Sequence, residues 1–348
     1  MWLFYLVIAL GSTLLSPLAA ADVPPAVGFR QITIGGDDGQ PGRQAVLLYP
    51  AQADTSITPT LIGDNPAFIG VPVLPEAPVA AGRHPLVVMS HGYGGNWRNQ
   101  LWLGQTLARA GYLVLAANHP GTTSGDITPA VGGQLWQRPV DIRRAIDWVS
   151  QHASEHADLQ RVAVIGHSLG GWTAMMAAGA RFSPAQMHAD CVQHPTDVSC
   201  KAYLYLTGGQ PASSFEQLAA DWRDPRIKAA VTLDLGLARG LTSRSLAQMP
   251  VPVLVLAADP RSRQVPALLE SGYLASHLPA ERLQYQVIDG ASHFSFIQRC
   301  KAGAAALLEA DSPGDGMICE DEGTASREAL QQQVSATILR FLQRVLGA

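Results

Sequence analysis

The sequence predicts an α/β fold, with a mostly parallel central sheet flanked by helices. Three observations predict it. Short, continuous apolar runs such as Pro85–Ser90 (PLVVMS), Tyr112–Ala117 (YLVLAA) and Arg161–Gly166 (RVAVIG) read as strands buried on both faces. Between them lie segments with apolar residues at helical spacing. Strand and helix alternate along the chain, the order that βαβ units require.

Each element follows from local pattern. The first stretch, MWLFYLVIALGSTLLSPLAA, is apolar, uncharged and closed by Pro17 and small residues, with Ala19 and Ala21 at A-x-A spacing. It reads as a secretory signal peptide over about residues 1–21, although no Lys or Arg precedes the apolar run; an uncleaved anchor is the alternative. A secreted or periplasmic location is therefore expected. No later segment is long and apolar enough to span a membrane, and a single α/β domain is expected over residues 22–348. Val27–Ile34 and Ala45–Tyr49 read as a hairpin. Gln52 to Arg83 is rich in Pro, Gly and Thr and reads as a long connection, a surface wrap or part of a substrate-site rim. Trp97–Ala110 reads as a helix closed by Gly111. Arg138–Ser150 is a helix with Val140, Ile142, Ala145, Ile146 and Val149 on one face. Leu169–Ala180 is the next helix. Ile227–Leu233, Val251–Ala257 and Leu283–Ile288 are strands, and Ser326–Leu346 is the closing helix. An insertion at about 182–224 interrupts this rhythm and is expected to border the active site.

Composition narrows the function. The chain has 348 residues, a net charge of −4, 47% hydrophobic and 15% charged residues. That is globular and near neutral, with no Lys/Arg run for a nucleic-acid partner. The four cysteines, Cys191, Cys200, Cys300 and Cys319, allow three pairings. The local choice, Cys191–Cys200 with Cys300–Cys319, closes the shortest loops, and an export signal makes disulfides reasonable. No CxxC pair and no histidines at ligand spacing argue for a metal.

The chemistry-bearing signal is Gly166-His167-Ser168-Leu169-Gly170, a G-x-S-x-G directly after a buried strand and before a helix. In that context the turn lifts the Ser168 hydroxyl above the sheet at the positive end of a helix. A serine hydroxyl needs a base to attack at neutral pH. His293, in Gly290-Ala291-Ser292-His293-Phe294, stands just past the last strand, where the histidine falls in the order Ser, acid, His. Of the other histidines, His119 is in position to line the pocket. The acid is either Asp234 or Asp259, each ending a strand. Asp234 has an apolar sequel, Leu235-Gly236-Leu237, and is preferred. Asp259 is followed by Pro-Arg-Ser-Arg, so arginines compete for it. Backbone N–H groups must hold the developing oxyanion. Leu169, next to the nucleophile, and Tyr93, in the loop Ser90-His91-Gly92-Tyr93-Gly94-Gly95, are the candidate donors.

These residues resemble the α/β-hydrolase superfamily. More narrowly, VMSHGYGGNWRNQ, ANHPGTT, RPVDIRRAIDWV, VAVIGHSLGGWTA, DPRIKAAVTLDLG and GASHFSF resemble predicted dienelactone hydrolases and platelet-activating-factor acetylhydrolases, from roughly residue 27 onward. The resemblance implies hydrolysis of a carboxylic ester without a cofactor. It implies Ser168 as nucleophile, His293 as base and the Tyr93 and Leu169 N–H groups as oxyanion donors. The acetylhydrolase pattern supports Asp234. In many dienelactone-hydrolase-like proteins the acid instead follows the next strand, nearest Ser262 here, and Asp259 fits only with a longer loop. True dienelactone hydrolases carry a Cys nucleophile; this chain has Ser.

A small or medium ester is the expected substrate. Trp97, Trp102, Trp136, Trp172 and Trp222 offer an apolar pocket for it, or else ordinary core packing. The same triad also suits an acyltransferase or thioesterase, and the fold alone suits a non-catalytic binding protein.

Overall fold

Ten strands form one sheet in the order β12-β11-β10-β9-β5-β6-β2-β1-β4-β3 in this computed structural model, whose described residues are 26–35, 42–52, 56–262 and 264–347. The leader read at residues 1–21 lies outside the described residues. The strands of the sheet are β1 (Ala26–Ile34), β2 (Arg43–Ala51), β3 (Thr60–Ile62), β4 (Val71–Pro75), β5 (His84–Ser90), β6 (Leu113–Ala117), β9 (Ala157–His167), β10 (Ile227–Leu233), β11 (Val253–Ala257) and β12 (Leu283–Val287); β7 (Thr122–Thr123) and β8 (Asp126–Ile127) form a separate small hairpin. The pairs from β6 through β5, β9, β10 and β11 to β12 are all parallel, while β2 pairs antiparallel with both β6 and β1.

The continuous apolar runs become fully buried strands because helices cover both faces of the sheet. On one face lie α1 (Leu101–Arg109) and the closing helix α10 (Arg327–Leu346), whose Leu103, Leu107, Ile338 and Phe341 pack with Val87, Val114 and Val231. On the other lie α3 (Gln137–His152) and α4 (Leu169–Ala178), whose Ile142, Ile146, Trp172 and Met175 pack with Leu86, Val88 and Val164. Ser326 caps α10 by accepting the Ala329 N–H, the role expected of a serine at that position.

The connection from Gln52 to Arg83 holds more structure than its composition suggests. It contributes β3 and β4, and β4 pairs in parallel with β1 at Gly28 and Phe29. Phe68 also bridges Cys300 across the fold. This segment is at once a wrap and a rim.

The remaining helices are α2 (Pro129–Gly132), α5 (Pro184–Gln193), α6 (Val198–Leu206), α7 (Ser243–Ala247), α8 (Ser271–His277) and α9 (Ala304–Asp311). Helices α5 and α6 belong to the insertion. A disulfide joins Cys191 to Cys200 between them, and a second joins Cys300 to Cys319. No helix among the described residues is long and apolar enough to cross a membrane.

Candidate active site

The site is built at the carboxyl ends of β5, β9 and β10, where open parallel sheets bind ligands. Strand β9 turns into α4 so sharply that Ser168 sits at φ 55°, ψ −121°, a conformation L-residues avoid. Glycine makes the turn possible: a Cβ on Gly166 would run into the Gly170 carbonyl, and one on Gly170 into the Ser90 carbonyl. The Ser168 hydroxyl caps no backbone group of the helix it precedes, so it is left for chemistry.

His293 follows β12 in a one-turn helix, Ser292 capping it with a reciprocal bond to Ser295. Its Nδ1 lies 2.6 Å from Asp234 Oδ2. Asp234 is fully buried at the end of β10, and its other oxygen accepts the Ala258 N–H at 2.8 Å. Both carboxylate oxygens are thereby committed, which fixes the imidazole plane and puts the proton of the neutral ring on Nδ1. Among the described residues Nε2 has no hydrogen-bond partner. Ser168 and His293 line the same cleft.

Asp259 lies elsewhere. Its carboxylate is claimed by Arg261, 2.6 Å away, and by the Gly290 N–H at 2.8 Å. The hydrogen bonds from Arg261 hold it well below the usual carboxylate range. The structure thus pairs His293 with Asp234 and leaves Asp259 bracing the turn that leads to His293.

The two candidate oxyanion donors flank Ser168. The Leu169 N–H is in the first turn of α4, where amides have no intrahelical acceptor. In the facing loop, Gly94 N–H goes to Thr122 O and Gly95 N–H to Gly92 O. The Tyr93 and Leu169 N–H groups have no partner among the described residues. Gly92 lets the loop approach: a Cβ there would lie 3.1 Å from Ser168 Cβ.

From Ser168 the cleft extends in two directions, one more apolar than the other. One arm, about 550 Å³, is walled by Val198, Ala202, Leu206, Leu237, Val265 and Met317. The other, about 290 Å³, presents Asn65, Asn96, Arg98, Asn99, Ser124 and Gln298. The insertion supplies the apolar wall through α6. None of the five tryptophans named above does: Trp97, Trp102 and Trp172 are buried in the two cores, and Trp136 and Trp222 pack against one of them. Indole volume is spent on helix–sheet packing, so the pocket reading of those residues is corrected.

His119 is corrected as well. It is fully buried behind the loop, bonded to Ser90 Oγ at 2.9 Å and Asp141 at 3.0 Å, and lines neither arm. Burial, then the nearby Arg138 and Arg43, drives its pKa well below the ordinary value. His167, which adjacency to Ser168 on the turn sets aside as a base, instead braces the site: its Nε2 bonds the His293 carbonyl at 2.9 Å and its ring lies 4.5 Å from the His293 ring. Burial chiefly keeps His167 neutral, so no second positive charge sits against His293. Its position in G-H-S-x-G was the available signal.

Residues 85–189 match the family of proteins with the alpha/beta hydrolase fold. A solved structure, the ferulic acid esterase from Streptomyces cinnamoneus, superposes with a TM-score of 0.61 at 19% identity, covering 94% of this chain and 91% of that one. The chain has the α/β-hydrolase fold. A curated relative of this hydrolase-fold chain, the monoacylglycerol lipase of Mycolicibacterium smegmatis, is 26% identical over 244 residues, spanning 61% of this chain and 81% of that protein.

Proposed function

We propose that the protein is a serine hydrolase of carboxylic esters, exported to the periplasm or beyond, acting through an acyl-enzyme on Ser168. The observation that carries the reading is the buried Asp234–His293 pair at 2.6 Å beside a strained, uncapped serine. His293 takes the Ser168 proton as the hydroxyl attacks the ester carbonyl. The Tyr93 and Leu169 N–H groups receive the oxyanion, a contribution of about 3–4 kcal/mol per donor. His293 then protonates the leaving alcohol, and water activated by the same nitrogen releases the acid. Asp234 holds the ring and stabilises its protonated form. No cofactor takes part in these steps.

The two arms divide the substrate. The acyl half occupies the apolar arm, and the alcohol half the polar one. After the alcohol leaves, water must reach the acyl carbonyl, and the arm lined by Asn65, Asn96, Asn99 and Gln298 offers it more of the two to four partners it needs. A small or medium acyl chain suits the larger arm. The relatives named a lipase and an esterase support ester chemistry, and the family pattern read in the sequence, dienelactone-hydrolase-like or acetylhydrolase-like, remains part of the proposal. Two disulfides suit an oxidising compartment.

The test is turnover of p-nitrophenyl esters from acetate to decanoate by the purified protein and by Ser168→Ala. Burst kinetics with a loss of at least about 10⁴-fold in Ser168→Ala is expected. No turnover of any ester, or an active Ser168→Ala, removes the proposal.

A further inference from the structure

Behind the Tyr93 loop lies a buried guanidinium that the reaction as described does not use. Arg138, on α3, is only 2% exposed. Its Nη2 donates to the His91 carbonyl and, at 3.3 Å, to Ser90 Oγ. Nη1 donates to Thr122 Oγ1 at 2.5 Å, and Nε to Thr173 Oγ1 at 2.9 Å. All four acceptors are neutral. The carboxylate of this layer, Asp141, is paired with Arg43, Arg144 and His119.

The four bonds reach both sides of Ser168. Thr173 lies one turn along α4, and its hydroxyl passes the contact on to the Leu169 carbonyl at 2.9 Å. Thr122 receives the Gly94 N–H on its carbonyl at 2.9 Å. The His91 carbonyl and the Gly94 amide thus bracket Tyr93, one bonded to Arg138 and the other held by a residue bonded to Arg138. The loop itself is glycine-rich and has little intrinsic stiffness. An amide loop held by one buried fork loses little on reaching transition-state geometry, which is what preorganisation requires.

We infer that Arg138 is a positioning residue that sets the Tyr93 N–H against the Leu169 N–H, so that the two converge on one oxyanion. The inference rests on the hydrolase reading above.

The experiment compares Arg138→Met, Arg138→Lys and Thr173→Val with wild type. It reads kcat and KM for p-nitrophenyl butyrate, the inhibition constant of butylboronic acid, whose tetrahedral adduct on serine carries the anion, and the thermal midpoint. For Arg138→Met, kcat should fall by about 10²–10³-fold, as for loss of one oxyanion donor, with KM within about threefold of wild type. Boronate binding should weaken by a similar factor. Arg138→Lys, which keeps the charge but not the fork, should be intermediate, and Thr173→Val should lose about tenfold in both readouts. A folded Arg138→Met with unchanged kcat, or with its loss confined to KM, overturns the inference. Should Arg138→Met fail to fold, a Thr173→Val variant with wild-type kcat and boronate affinity overturns it equally. A wild-type protein that neither turns over ester nor binds boronate defeats the hydrolase reading itself, a result distinct from an active enzyme indifferent to Arg138.

Discussion

Asp234→Asn changes the hydrogen-bonding sense of one atom in a fully buried carboxylate. Asp234 Oδ1 accepts the Ala258 N–H at 2.8 Å, so the amide oxygen must stay there. The opposite flip would set two donors face to face in a buried site, at a cost of about 1–3 kcal/mol. The new NH₂ therefore lands where Oδ2 was, 2.6 Å from His293 Nδ1. Nδ1 must now accept, which moves the ring proton to Nε2 and leaves no lone pair to take the Ser168 proton. A wrong tautomer of this kind costs about 10⁴-fold in kcat, or about 5.4 kcal/mol of transition-state stabilisation. KM should move little, because the ring keeps its place. The assay is initial-rate hydrolysis of p-nitrophenyl butyrate near pH 7.5, with the thermal midpoint recorded to show that the variant folds. A folded Asp234→Asn retaining a tenth or more of wild-type kcat would refute the argument.

Asp259→Asn is the matched control. It should keep kcat within about threefold, with a slightly lower thermal midpoint as the Arg261 and Gly290 contacts weaken; collapse of kcat to the Asp234→Asn level would exchange their roles. Glu270 is fully buried, accepts the Ala238 N–H at 2.6 Å, and burial raises its pKa to about 7. The folded state then holds the Glu270 proton more tightly than the unfolded chain, so this group favours folding below about pH 4.5 and that contribution disappears as pH rises through about 7. Glu270→Gln should flatten the fall in urea midpoint between those pH values, a change on the order of 3 kcal/mol, and an unaltered pH profile would contradict it. Ala202→Trp narrows the apolar arm, so kcat/KM for decanoate should drop at least about tenfold while acetate stays within about twofold, at roughly 0.8 kcal/mol per methylene excluded; equal losses on both esters would place the acyl chain elsewhere. Removing Cys191–Cys200, a closure of 9 residues, should cost about 2.6 kcal/mol and loosen the α5–α6 wall, read as a lower thermal midpoint.

The central sheet was legible because its strands are buried on both faces. Val253–Ala257 and Leu113–Ala117 are apolar and buried throughout, and run length alone marks them. The rim strands were not legible. Thr60–Ile62 has three residues and Val71–Pro75 carries two prolines, so neither shows a period. The first turn of the helix expected from Trp97 is instead a loop, because the Asn99 side chain accepts the Asn96 N–H and Asn118 accepts the Trp97 N–H.

The cleft was legible only where a residue type is tied to a turn. Glycine spacing around Ser168 declares a close approach of two backbones, and the structure shows that approach at Gly92 and Gly170. The two aspartates ending neighbouring strands differ in sequence only by their sequels, apolar after Asp234 and arginine-bearing after Asp259, which favours one without deciding it. Their surroundings differ through Arg261 and Gly290 in one case and Ala258 in the other, contacts that only the folded loops define. The contacts of Arg138 and His167 were not legible because their partners are backbone carbonyls and hydroxyls up to 126 residues away, which no local pattern reports.

The most direct test of the account is to map the site of a fluorophosphonate adduct on the native protein by peptide mass spectrometry. A single adduct on the peptide bearing Ser168, absent in Ser168→Ala and strongly slowed in His293→Ala, is the predicted result. No adduct, or an adduct on another serine that persists in Ser168→Ala, would contradict it.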